Sequence, residues 1–172
     1  MMSADVANKI EQALEQAMQA ERQGYYFYHM AAAHTPDERG KQVFADLADQ
    51  ERMHFDYLQR QLESFRKTGR PDSSLKFEVP RPEKTDHPIF SEQIKNRIKE
   101  AHYEMTALSV GIQLEANSRD FYLQQAEAAG EPELSDFFRK LADWESVHYH
   151  LLLEQQQALQ QQYWNEARFA PF

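Results

Sequence analysis

The stretch Leu47-Ala48-Asp49-Gln50-Glu51-Arg52-Met53-His54 returns 94 residues later as Leu141-Ala142-Asp143-Trp144-Glu145-Ser146-Val147-His148. In each copy Glu and His stand three residues apart, which on a helix is one turn and one face. The same shift carries Leu14 onto Leu108, Gln19 onto Gln113, Glu21 onto Glu115, Phe27-Tyr28 onto Phe121-Tyr122, Phe44 onto Phe138 and Leu58 onto Leu152. Matches at Leu can follow from shared helical composition. Matches at Phe, Tyr, Asp and His in one register are harder to produce that way. The chain reads as two copies of one unit, and approximate internal two-fold symmetry is expected.

Working outward from each copy, the apolar spacing is helical. Helix A is expected over 4–34, with the stripe Ile10, Leu14, Ala17, Glu21, Gly24, Tyr28, Ala31. It should stop before Pro36, because the residue preceding a proline avoids the α region. Thr35 is then expected to cap helix B, with Pro36 at its first position and Glu38 completing a capping box. Helix B should run to about Lys67 and end at Gly69, with the stripe Phe44, Leu47, Glu51, His54, Leu58, Leu62, Phe65. Residues 69–90 hold four prolines and no periodicity, and read as a connection; a short helix is expected over Ser91–Glu100. Helix C is expected from Tyr103 to Ala129, with Leu108, Gly111, Glu115, Ser118, Tyr122 and Ala126 inward. Gly130 stops it and Pro132 starts helix D, whose stripe is Phe138, Leu141, Glu145, His148, Leu152. Helix D should end near Gln162, with the Gln-rich run 155–162 on its polar face. The aromatic tail 163–172 is expected to pack on the bundle or on a partner.

These elements make an all-α four-helix bundle of two antiparallel hairpins in a single domain over 1–172. Extended at about 3.3 Å per residue, the B–C connection could span ~70 Å, whereas a 30-residue helix is ~45 Å long. One full-length crossover fits, making B and C parallel as in ferritin-like bundles. The 172 residues include only 5 Gly and 7 Pro, too few for a turn-rich sandwich or barrel. The absence of Cys excludes a disulfide scaffold, a thiolate zinc or iron–sulfur site and thiol chemistry. A net charge of -9 disfavours nucleic acid as a partner. Mean hydropathy is -0.81 and no long apolar run exists, so no membrane partner is expected. Residues Met1–Asp5 lack the basic-then-apolar pattern of a secretory leader, and a cytoplasmic location is expected.

Six residues on the inward stripes are not apolar: Glu21, Glu51, His54, Glu115, Glu145 and His148. The midpoint of 21 and 51 is 36, and that of 115 and 145 is 130, both at the expected turns. Each upstream Glu therefore lies level with its Glu-x-x-His pair, and the two sets meet at one height. Four carboxylates buried together repel one another and lose hydration, each at several kcal/mol or so. Two divalent cations would cancel their charge, and two imidazoles would complete the shells. Mixed oxygen and nitrogen donors suit iron or manganese better than a closed structural zinc site. One Glu-x-x-His pair is weak evidence: with 18 Glu and 7 His, chance supplies roughly 0.7 of them. Two pairs in one repeat register, each with a Glu 30 residues upstream on the inward stripe, form a specific signal.

On these residues the chain resembles the ferritin-like superfamily, and within it the rubrerythrin-type di-iron domain. The resemblance covers both hairpins. It implies a cofactor of two iron ions, with Mn or Zn as possible substitutes, held by Glu21, Glu51, His54, Glu115, Glu145 and His148. Glu51 and Glu145 would bridge, and Glu21 and Glu115 would be terminal. It implies O2 or H2O2 as the oxidant, with Fe2+ or another donor oxidised: an oxidoreductase of the ferroxidase or peroxidase type. Tyr28 and Tyr122, seven residues after Glu21 and Glu115, match tyrosines placed beside the metals and are candidate catalytic residues. Two departures matter. Without Cys there is no rubredoxin module, so electrons need a separate donor or come from Fe2+. Ser118 stands where rubrerythrin helix C carries a second Glu, which brings the ligand set nearer to that of a bacterioferritin ferroxidase centre.

His29, His34, His87, His102 and His150 lack a Glu three residues before them and are expected on the surface. Met18, Met30, Met53 and Met105 are expected to be packing residues. Tyr25-Tyr26-Phe27-Tyr28 spans more than one helix face, which makes a homodimer the expected assembly. The alternative functions are an iron-binding or storage protein without significant turnover and a bundle whose site is degenerate. The sequence leaves open the physiological oxidant, the electron donor and the metal used in the cell.

Overall fold

The computed structural model describes residues 4–75 and 101–167. Four helices follow one another: α1 (Ala4–His34), α2 (Glu38–Thr68), α3 (His102–Ala128) and α4 (Pro132–Ala167). No strand occurs among the described residues. The helix expected over 91–100, His87, and the connection beyond Leu75 lie outside the described residues.

The turn between α1 and α2 differs from expectation in its chemistry. Thr35 does not cap α2; its Oγ1 donates back to the Ala31 carbonyl at 2.8 Å and closes α1. The cap is Asp37, in extended conformation, whose Oδ1 accepts from the Gly40 amide at 2.9 Å. Moving the cap two residues on leaves Glu38 as the first helical residue, not the third, so no capping box forms. At its other end α2 stops at Gly69, whose φ of 74° lies in the left-handed region and whose N–H reaches the Phe65 carbonyl. Gly130, with φ of 69°, makes the α3–α4 turn. α4 runs past Gln162 to Ala167, so Tyr163 and Trp164 belong to the helix rather than to a tail, and Tyr163 is exposed. Gln155 is buried, contrary to the polar face expected for the Gln run. Met30 and Met53 are exposed and do not pack, while Met18 and Met105 lie against the core.

α1 packs along α2 and α3 along α4, as two hairpins. Their relative direction can be read from two hydrogen bonds. Tyr28 of α1 donates to Glu115 of α3, and Tyr122 of α3 donates to Glu21 of α1. Advancing along α1 therefore means retreating along α3. α1 and α3 are antiparallel, so α2 and α3 are parallel, as a long crossover requires.

The core is divided. One apolar cluster, built around Leu14, Leu58, Phe65, Phe138 and Leu141, fills one end of the bundle. The second, around Phe44, Leu47, Leu108 and Leu152, fills the other. Between them, at the middle of all four helices, lies the layer formed by Glu21, Glu51, His54, Glu115, Glu145 and His148. No described helix is long and apolar enough to cross a membrane.

Candidate metal centre

All six side chains are 1–3% exposed. They gather into two triads, Glu21–His54–Glu145 and Glu51–Glu115–His148, whose donor atoms lie within 4.8 Å of one another. Each triad takes two members from one hairpin and one carboxylate from the other. His54 Nδ1 is 3.2 Å from Glu21 Oε2 and 3.7 Å from Glu145 Oε1. His148 Nδ1 is 3.2 Å from Glu51 Oε1 and 3.5 Å from Glu115 Oε2. The two imidazoles stack, with centroids 5.3 Å apart.

The exchange of carboxylates follows from helix geometry. Spacing along a helix sets height, and the pair of hairpins then brings Glu51 and Glu145 to the bundle axis. Glu51, grouped with Glu115 and His148, also lies against Glu21 of the other triad, and Glu145 likewise against Glu115. Gly24 makes room for this. A Cβ there would lie 2.8 Å from Glu51 Oε2, closer than atoms tolerate, so a side chain on α1 would push the carboxylate out of the axis.

The electrostatics show what the layer lacks. Burial raises Glu51 well above the usual carboxylate range, and repulsion from Glu115 and Glu21 adds to it. Glu145 is raised in the same way by burial and by Glu21, Glu115 and Glu51. Burial also works against Glu21 and Glu115, but His54 and Tyr122 around the first, and His148 and Tyr28 around the second, outweigh it and hold both low. Glu51 Oε1, Glu145 Oε1 and His148 Nδ1 are buried with no hydrogen-bonding partner among the described residues. The other nitrogen of His148, Nε2, sits 3.0 Å from the Gln50 side-chain oxygen, which can only accept. Nδ1, on the other side of the ring, faces Glu51 and Glu115. Buried polar atoms left without a partner are costly, and a cation lying among them would relieve that cost. Oxygen-rich triads with one imidazole each fit a pair of divalent transition-metal ions.

Tyr28 and Tyr122 are fully buried and also cross between the hairpins. Tyr28 bonds Glu115 Oε1, and Tyr122 bonds Glu21 Oε1 at 2.7 Å. Each tyrosine holds the Glu of the opposite hairpin rather than the one seven residues before it. Burial and the facing carboxylates push both phenols well above the ordinary tyrosine value, so each keeps its proton. Ser118 is only half-buried, on the margin of the stripe.

Residues 3–62, which span α1 and most of α2, match the Rubrerythrin family model. Over that part the chain is similar to rubrerythrin, and its four helices are consistent with a ferritin-like bundle. No curated protein and no solved structure matched the chain.

Sequence reading had missed several groups around this centre. Gln50 and Trp144 occupy equivalent repeat positions, one residue before Glu51 and Glu145. Each touches the His of the other hairpin: Gln50 bonds His148, while the Trp144 ring stacks on His54 at 5.0 Å. Both stand four residues before the His of their own helix, a spacing that marks them for the same face. Gln61 and Gln155 are a further buried pair in the 94-residue register. Gln61 grips the chain just beyond α2: its Nε2 donates to the Asp72 carbonyl and its Oε1 accepts the Asp72 amide at 2.7 Å.

Proposed function

We propose that this chain is a non-haem di-iron protein that reacts with O2 or H2O2 and oxidises Fe2+ or another electron donor. The observation that supports it best is the set of partnerless buried acceptors, Glu51 Oε1, Glu145 Oε1 and His148 Nδ1, at the meeting point of two carboxylate–imidazole triads.

In this reading Glu21, His54 and Glu145 hold one ion, and Glu51, Glu115 and His148 hold the other. Glu51 and Glu145, each facing the opposite triad, would be the carboxylates placed to serve both ions. When bound, a pair of iron ions supplies one-electron changes at two adjacent centres, which is what reduction of O2 or peroxide demands. The chain's part is to position and to insulate. Gln50 holds the His148 ring at Nε2, which leaves Nδ1 directed at Glu51 and Glu115. Tyr122 and Tyr28 each bind one oxygen of a terminal Glu and thereby orient the other toward the axis. Their phenols stay protonated, which leaves a hydroxyl hydrogen beside each terminal carboxylate. The two apolar clusters above and below the layer keep bulk water out, so charge in the centre is screened weakly.

The test is anaerobic loading with Fe2+ followed by exposure to oxidant. About two irons per chain are expected, with near-ultraviolet ferric absorption growing on mixing with O2 or H2O2. A stoichiometry near zero overturns the reading, and the relative rates with O2 and H2O2 assign the oxidant.

A further inference from the structure

These 172 residues hold no cysteine through which electrons could pass. Beside the metal layer, between the outer faces of α2 and α4 and the turn after α2, lies a cavity of about 550 Å³, a size suited to a small organic ligand. Its apolar wall is aromatic: Tyr57 from α2, with Phe137 and Trp144 from α4. Among the described residues its rim is acidic, carrying Asp72, Glu133, Asp136 and Asp143 with Lys140; Arg70 lies 4.0 Å from Glu133. The wall is built in place, because Gln61 clamps Asp72 to α2 through both backbone groups.

The rings do not stop at the cavity. Tyr57 meets Trp144 edge-on with centroids 5.2 Å apart. Trp144 lies nearly parallel to His54 at 5.0 Å, and His54 to His148 at 5.3 Å. Trp144 therefore lines the cavity and also rests on an imidazole of the first triad. At the equivalent repeat position Gln50 offers a hydrogen bond but no ring, so the aromatic path exists on one side of the bundle alone.

We propose that this cavity binds a small planar aromatic reductant carrying no negative charge, and that its electrons reach the metal pair through Trp144 and His54. The ring wall suits a flat donor, and the acidic rim selects against an anionic one. For a donor of the hydroquinone class the balance is simple. Two electrons pass singly to two ferric ions, which become ferrous. The donor loses its two hydroxyl protons, which the rim carboxylates or water accept, and leaves as the quinone. The inference rests on the di-iron reading for the destination of the electrons, but not for the binding site.

The experiment uses 1,4-hydroquinone and its monosulfonate as probes. On metal-free protein, calorimetry should show saturable binding of hydroquinone at one site per chain, with the sulfonate at least about tenfold weaker. The exposed rim variant Asp136→Lys/Asp143→Lys should narrow that gap. Absence of saturable binding, or equal binding of the two probes, overturns the site. On ferric-loaded protein kept from air, saturating hydroquinone should yield ferrous ion at least about tenfold more slowly in Trp144→Leu than in wild type, at equal iron content. An unchanged rate overturns the route. If Trp144→Leu does not fold, Tyr57→Leu/Phe137→Leu, which strips the wall but leaves the triads intact, must abolish hydroquinone binding. Failure of the chain to load iron would sink the di-iron reading while leaving the metal-free titration to be judged by itself.

Discussion

The two halves of the metal layer have the same donors and different supports. Around Glu51, Glu115 and His148 the imidazole is fixed by a hydrogen bond to Gln50; around Glu21, Glu145 and His54 it is fixed by the face of Trp144. Gln50 stands beside Glu51 of one repeat and Trp144 beside Glu145 of the other. A hydrogen bond fixes which nitrogen carries the proton, whereas a stacked ring fixes only the plane. The repeat therefore kept the carboxylates and imidazoles and let their supports diverge, so the two positions are not expected to behave alike.

The largest effect should come from erasing the comparison altogether. Glu51→Ala removes a carboxylate that touches both triads, and iron content measured after anaerobic loading should fall from about two per chain to near zero. Tyr28→Phe should leave it close to two; the reverse order would mean that the donor set is misassigned. Next, Gln50→Ala should weaken one ion and spare the other. Loss of such an outer hydrogen bond typically costs about 10–100-fold in metal affinity. A titration followed by calorimetry should thus separate into two steps, while Trp144→Phe, which keeps a ring on His54, should not separate them.

A smaller difference tests the close approach at Gly24. Gly24→Ala forces Glu51 aside and should cost about 1–3 kcal/mol in stability by overpacking. Ser118→Ala, at the half-buried equivalent position on α3, should stay within about 0.5 kcal/mol in the same denaturant titration.

The smallest effect is electrostatic and belongs to the metal-free chain. Burial, reinforced by Glu115 and Glu21, raises Glu51 well above the ordinary carboxylate value of about 4.5. A folded-state value above the unfolded one means that stability from this group is full below about 4.5 and is lost as pH rises toward the folded value. Glu51→Gln removes the charge and keeps the shape. At pH 7 the metal-free variant should therefore exceed wild type by about 1–2 kcal/mol, roughly 2–6 °C in Tm. The gap should close near pH 4.5, and calorimetric Tm values at the two pH values check it. Glu21 and Glu115 are held low, so their contribution runs the other way and is lost only as pH falls below about 4.5.

Much of this centre was legible because a repeat is a strong constraint. The positions 21, 51, 54, 115, 145 and 148 follow from spacing, and their common height follows from the turns at 36 and 130. What spacing does not encode is which helix lies across the bundle axis from which. For that reason the exchange of Glu51 and Glu145 between triads, and of Tyr28 and Tyr122 between terminal carboxylates, emerged only with the fold. The cap at Asp37 was missed because Thr35 and Asp37 are both good caps, and the choice depends on Thr35 closing α1 instead. Gln61 and Gln155 were hidden by residue type, since glutamine is ordinarily a surface residue, although their shared register was a usable signal.

The crossed tyrosines carry one last consequence. Tyr28–Glu115 and Tyr122–Glu21 stitch the hairpins at their waist, and ions seated in the triads would add further stitches between the same two halves. Withdrawal of metal by a chelator should accordingly be felt along that seam, as faster amide exchange where α1 faces α3, while the pairing inside each hairpin stays quiet.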